Sequence, residues 1–176
     1  MSLPGTKGGP NERPALGAVG VGGKGWADSL GASRHGEIVA FCDVDQLGKD
    51  RKGGFVEAAK KWPKATRYTD WREMLEKEKL DGVTVSTPDH MHAPVTMTAL
   101  KLGISPYTQK PLTRTVHEAR ALTLAAREAK VATQMGNQNH SGVNYKGLVE
   151  LVRSGLLGKT KRAYAWSHRP IGPQRH

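Results

Sequence analysis

Short apolar runs alternate with longer amphipathic stretches along most of this chain. Strand candidates fall at 15–20, 37–42, a short one near 66–68, 82–86, about 104–108 and 131–135, and helix candidates lie between them. Strands alternating with helices predict a parallel α/β sheet covered on both faces. Local signals place several helix ends. Asp70 with Glu73 three residues on reads as a helix start, and so does Thr115 with Glu118, which opens a helix through Ala129. Gly103 is placed to stop the helix before the fifth strand. One conflict is visible. Pro106 falls inside the 104–108 run, and proline, lacking an N–H, belongs at a strand start or a sheet edge. After the sixth run comes the polar loop Gly136, Asn137, Gln138, Asn139, His140, then a helical pattern over about 141–153. A turn through Gly155 and Gly158 leads into 160–167, which alternates like a half-buried strand.

The first strand runs into the sequence Gly20, Val21, Gly22, Gly23, Lys24, Gly25. A helix-compatible stretch follows from near Trp26. The second strand then ends in Asp43, about 18 residues beyond Gly25, close to the roughly 20 expected of a dinucleotide site. Gly20 permits the tight turn, Gly22 lets a pyrophosphate approach bare backbone, and Gly25 lets the helix pack closely on the sheet. The helix N-terminus offers N–H groups to phosphate oxygens. Asp43 is placed to accept hydrogen bonds from a ribose diol, which favours NAD over NADP. Lys49 and Arg51 nearby supply bases that would offset the repulsion of a 2′-phosphate. A glycine turn of purely structural use is the competing reading.

The chain has 176 residues, enough for one domain with a real core, and a single cysteine, Cys42. One cysteine excludes an internal disulfide and fits a reducing, cytoplasmic compartment; in its apolar strand it reads as buried and inert. No run reaches the roughly 20 apolar residues of a membrane span, so no membrane partner is expected. The formal net charge is +11, which invites a nucleic-acid reading. The basic residues, however, are spread along the chain and often stand beside acids. The excess is strongest after Ala121, where nine Lys and Arg face only Glu128 and Glu150. No nucleic-acid partner is expected, and the surplus reads as a surface that meets acidic protein elsewhere.

Three further segments fall at the carboxyl ends of predicted parallel strands, where doubly wound folds bind ligands. They are Ser86, Thr87, Pro88 through His92; Gln109, Lys110, Pro111; and the loop from Gly136 to His140. With the glycine fingerprint in the same order, these resemble the Gfo/Idh/MocA family of oxidoreductases over about residues 16–169. The resemblance implies a Rossmann doubly wound parallel sheet followed by an α+β second domain that carries substrate and oligomer contacts. On that reading 1–14 is a flexible lead-in, 15–136 the NAD(P)-binding domain, and 137–176 the truncated start of the second domain. It further implies NAD as cofactor with NADP not excluded, a sugar or cyclitol as substrate, and a homo-oligomer for the full-length protein.

Residue by residue, the resemblance assigns Gly20, Gly22, Gly23 and Gly25 to the phosphate loop and Asp43 to the ribose. Thr87, Pro88 and His92 match a Thr-Pro-x-x-x-His loop that lies along the cofactor. Lys110 matches the lysine of a Glu-Lys-Pro motif, which contacts substrate and assists proton movement near the nicotinamide. Asn137 and His140 are substrate candidates. Two departures stand out. Gln109 replaces the motif's Glu, keeping hydrogen bonds and losing charge, and the Asp-x-x-x-His motif of the second domain does not occur after Ser141. No metal site is expected, although Asp89, His90 and His92 invite one, because two histidines in a loop lack a third ligand. Two functions remain: an oxidoreductase moving a hydride between nicotinamide and a sugar hydroxyl carbon, and a dinucleotide-binding module without turnover.

Overall fold

In the computed structural model the described residues are 13–47 and 52–166. The lead-in up to residue 12, Lys49, Arg51, and the residues from Ser167 onward lie outside them. Six strands form one parallel sheet: β1 (Ala15–Val19), β2 (Glu37–Cys42), β3 (Thr66–Tyr68), β4 (Gly82–Val85), β5 (Ser105–Gln109) and β6 (Gln134–Gly136). Their spatial order is β3-β2-β1-β4-β5-β6, the Rossmann arrangement, whose direction of winding reverses between β1 and β4. The connecting helices are α1 (Lys24–Ala32), α2 (Phe55–Lys61), α3 (Trp71–Lys77), α4 (Asp89–Lys101) and α5 (Val116–Ala129).

Successive strand residues point to opposite faces, and both faces are covered. Val19, Cys42, Val83 and Val85 pack with Met74 and Leu75 of α3 and Val95 and Ala99 of α4. Their neighbours Ala18 and Phe41 pack the other way, with Val21 and Ala58 of α2 and against Trp26, Phe55 and Trp62. Phe41 meets Phe55 edge-on at 5.3 Å between ring centroids. Cys42 lies in the first of these cores; burial pushes its thiol up to about 12, so it stays protonated and unreactive.

The helix ends follow the sequence signals. Thr115 and Glu118 form a reciprocal capping box, Asp70 accepts from the Arg72 backbone N–H, and Gly103 takes the left-handed conformation, φ 73°, that ends α4. Pro106 is accommodated by register. Ser105 donates to Asp81 O on the β4 side, so the Pro106 nitrogen faces the β6 side, and β6 begins its pairing one residue later, at Tyr107 with Gln134. The missing N–H therefore costs no ladder bond.

The chain divides into two compact units after Asn137. The second unit holds a 3₁₀ turn, Gln138–Ser141, and α6 (Val143–Arg153), with the His140 and Tyr145 rings 4.7 Å apart. The strand expected over 160–167 is not formed in its described part, 160–166. The alternation is present, but a strand holds its shape through a ladder partner, and this segment pairs with no other strand.

Candidate cofactor and substrate site

The carboxyl ends of β1, β2, β4 and β5 carry the residues that the sequence singled out. At the end of β1 the chain turns sharply through Gly20, φ 81°. A β-carbon there would stand 2.7 Å from Ser86 O, so the turn admits only glycine. The helix begins at Lys24, two residues before the sequence pattern shows it, which puts Gly25 in its first turn. A β-carbon on Gly25 would overlap Gly20 O. These two contacts let the helix N-terminus sit directly on the strand it follows. Gly23, in contrast, has no heavy atom of the described residues within 4 Å of its β-carbon position.

Two elements brace this loop. Asp43 accepts from Val21 N at 2.9 Å through Oδ2 and from Asp45 N at 3.0 Å through Oδ1. The residues preceding α2 pair with the loop as well: Gly23 donates to Lys52 O at 2.9 Å and Gly54 donates to Val21 O at 3.0 Å. Each Asp43 oxygen keeps acceptor capacity beyond its one backbone bond.

At the switch point, β4 ends in Ser86, Thr87 and Pro88. The Thr87 Oγ1 is buried and has no hydrogen-bond partner among the described residues. Thr84 Oγ1, within β4, is in the same state; Thr87 differs in standing beyond the carboxyl end of the strand, where doubly wound folds bind ligands. Its backbone lies against Gly20, with Thr87 N 3.2 Å from the Gly20 β-carbon position. Pro88 is the N-cap residue of α4 and is exposed.

His92, on the first turns of α4, is 1% exposed. Its Nδ1 lies 2.6 Å from Pro111 O and its Nε2 lies 2.8 Å from Thr87 O. The ring thus spans the cofactor-side loop and the loop after β5, donating to one carbonyl or to both according to its protons. With both nitrogens on backbone carbonyls the ring has no lone pair directed at a metal. Among the described residues no group of three or more His, Cys, Asp or Glu is placed to hold a metal ion.

Lys110 follows β5 directly, is exposed, and precedes Pro111 through a cis peptide bond. Gln109 just before it is 4% exposed and donates to Asp28 Oδ2 at 2.8 Å. Asp28 is the residue that the sequence reading missed. It sits on α1 with its side chain 5% exposed, ion-paired to Lys24 at 2.6 Å and accepting also from Ser86 Oγ at 2.8 Å. The available signal was its place four residues after Lys24, on a helix whose glycine-rich start brings it close to the sheet. Asn137, at the end of β6, is exposed, as is His140 of the second unit.

A cavity of about 490 Å³ opens elsewhere, between α4, α5 and the β5–β6 edge, and is lined by Thr96, Leu100, Leu122 and Met135. It shares no residue with this site.

A tight glycine turn, an acid closing the second strand and an orphaned hydroxyl at the switch point define a dinucleotide-binding Rossmann domain. The chain belongs to the Gfo/Idh/MocA oxidoreductase family, whose NAD-binding Rossmann-fold model matches residues 16–137. It is 30% identical over 151 residues to an alpha-N-acetylgalactosaminidase of Shewanella oneidensis, covering 82% of this chain and 32% of that protein. Among solved structures it resembles myo-inositol 2-dehydrogenase of Lactobacillus plantarum, with a TM-score of 0.76 at 20% identity, over 84% of this chain and 43% of the other. It also resembles the scyllo-inositol dehydrogenase of Lactobacillus casei with bound NAD(H) and scyllo-inositol, TM-score 0.72 at 19% identity, over 84% and 43%. The chain thus spans about a third of the curated relative and about two fifths of the solved chains.

Proposed function

We propose that this chain is the cofactor-binding part of an NAD-dependent enzyme that acts at a hydroxyl or carbonyl carbon of a sugar or cyclitol. One observation carries the reading most. His92 joins Thr87 O to Pro111 O, which sets the loop beside the cofactor next to the loop that bears Lys110. The residues fit NAD: the glycine turn brings the helix N-terminus up to the strand, and the buried Thr87 hydroxyl has no hydrogen-bond partner among the described residues.

Bound nicotinamide supplies the hydride acceptor or donor. The chain's own residues do the rest of what is needed on this side. Gly20, Gly22, Gly23 and Gly25 receive the pyrophosphate, and Asp43 receives the adenosine ribose and favours NAD over a 2′-phosphorylated cofactor. Thr87 and Pro88 line the path toward the nicotinamide, and His92 fixes that path from below. Lys110 hydrogen-bonds the substrate oxygen and polarises it. Asn137 and His140 are candidates for further substrate contacts. A positioned base that takes the hydroxyl proton is worth about 10²–10⁴ in rate, and an Asp-x-x-x-His pair is not found after Ser141. The 176-residue chain is therefore expected to bind NAD(H) without measurable turnover.

The likeness to an alpha-N-acetylgalactosaminidase favours a second reading. In it a hydride would pass from a sugar ring carbon to the bound cofactor, and a proton would leave the acidified neighbouring carbon as the glycosidic C–O bond breaks and the aglycone departs. Water would add in its place and the same hydride would return, so that the net reaction would be hydrolysis of the glycoside with the cofactor unchanged, as in NAD-dependent glycosidases. One experiment on the whole protein separates the two. Free sugars and cyclitols are offered with NAD while absorbance at the NADH band is followed, and a chromogenic N-acetylgalactosaminide is offered in parallel. NADH accumulation supports the dehydrogenase; aglycone release without NADH supports the second reading. Failure of the chain to bind NAD(H) in calorimetry refutes both.

A further inference from the structure

Asp28 is a buried carboxylate that the reaction outlined above does not use. It has three donors from three elements: Lys24 Nζ of α1 at 2.6 Å, Ser86 Oγ after β4 at 2.8 Å, and Gln109 Nε2 at the end of β5 at 2.8 Å. A buried charge persists only where such partners satisfy it. Lys24 is half-exposed, and an ion pair open to water on one side contributes little by itself. The two neutral donors, both inside, therefore do most of the holding.

Each donor belongs to a segment with a role in the site. Lys24 is in the glycine loop, Ser86 precedes Thr87, and Gln109 precedes Lys110. We propose that Asp28 is the positioning residue of this site: its carboxylate fastens the phosphate helix to the ends of β4 and β5, sets the backbone from which Lys110 projects, and requires an amide at position 109. The inference rests on the cofactor reading above for its functional part. The requirement for an amide follows from the geometry alone. Gln109 gives Asp28 an N–H donor, whereas a glutamate there would bring a second carboxylate to hydrogen-bond distance in a buried place. Like charges so placed disfavour each other strongly. Gln109 is thus the partner of an acid that reaches it from α1, which accounts for its departure from the Glu-Lys-Pro pattern.

The test exchanges the two charges. Gln109→Glu is expected to lower the melting temperature by about 5–10 °C and to weaken NADH binding, read by fluorescence titration, by about tenfold. Adding Asp28→Asn to it places an amide on α1 and the carboxylate on β5. The double variant is expected to recover most of both losses, while Asp28→Asn alone, which loses the carboxylate that accepts from three donors, is expected to lower both melting temperature and NADH affinity. Gln109→Met, which removes the donor and adds no charge, is expected to fall between wild type and Gln109→Glu. Additive losses in the double variant overturn the proposal, as does a Gln109→Glu variant no worse than Gln109→Met. If Gln109→Glu fails to fold, the proposal requires the double variant to fold, and an equally unfolded double variant overturns it. Melting is read without cofactor, so a wild-type chain that bound no NADH would refute the proposed function while the amide–carboxylate pairing was still decided.

Discussion

Replacing Gly25 by alanine adds one methyl group at the most crowded point of the site. The β-carbon would overlap Gly20 O and approach Ser86 Cβ to 3.1 Å. The first obstacle is backbone, so no rotamer change relieves it, and the start of α1 must move off β1. Two terms oppose each other in stability. Alanine in place of glycine within a helix favours folding by about 1 kcal/mol, and overpacking costs about 1–3 kcal/mol. The net loss is small, about 0–2 kcal/mol, and circular dichroism at room temperature is expected to stay unchanged. Binding should suffer more, because the helix N-terminus that offers N–H groups to the pyrophosphate moves with α1, and losing one hydrogen bond to a charged oxygen costs at least about tenfold in affinity. Gly31→Ala is the control. It lies on the same helix outside the loop, and no described atom stands within 4 Å of the new methyl. Calorimetric titration with NAD(H) should therefore rank Gly25→Ala well below Gly31→Ala. A Gly25→Ala variant that binds within twofold of wild type would show that the contact with Gly20 does not shape the cofactor loop.

Three further outcomes are expected. Asp43→Ala removes the acceptor for Val21 N and Asp45 N and the group that disfavours a 2′-phosphate; NAD affinity should fall by about tenfold and NADP affinity change little, and a wild-type chain that binds both equally contradicts the role given to Asp43. Phe41→Ala empties a fully buried site in contact with Phe55 and should cost about 3–5 kcal/mol in urea unfolding; a loss under about 1 kcal/mol would mean the core collapses around it. The Thr115 backbone N–H holds the Glu118 carboxyl below its ordinary value of 4.5, so the stability Glu118 contributes is complete above pH 4.5 and is lost as the pH falls toward its lower folded value. Melting curves from pH 3 to 6 should be flatter for Glu118→Gln than for wild type, and parallel curves would contradict the cap.

Most strands were legible because each is a compact apolar run between helices, and a buried parallel strand has to be apolar on both sides. The sixth was misplaced toward its N-terminus. Residues 131–135 are apolar enough to read as a strand, but β6 is an edge strand of three residues, and Ala132 and Thr133 are exposed before the pairing starts. The glycine loop was legible for the opposite reason: its geometry tolerates few residues, so the residues advertise it. Asp28 was not, since an acid four residues after a lysine on a helix reads as a solvated pair. Only the tertiary closeness of α1 to Ser86 and Gln109, itself a result of Gly20 and Gly25, turns that pair inward. His92 was visible as a motif residue with two readings, cofactor contact or loop support, and what its ring touches is backbone on both sides.

The imidazole of His92 has a consequence for how the two loops move. It ties Thr87 to Pro111 with two short contacts, so a displacement of one loop is passed to the other. A group that settles against Thr87 is therefore expected to narrow the positions open to Lys110 as well, and part of the conformational freedom of the second loop is removed by an event at the first.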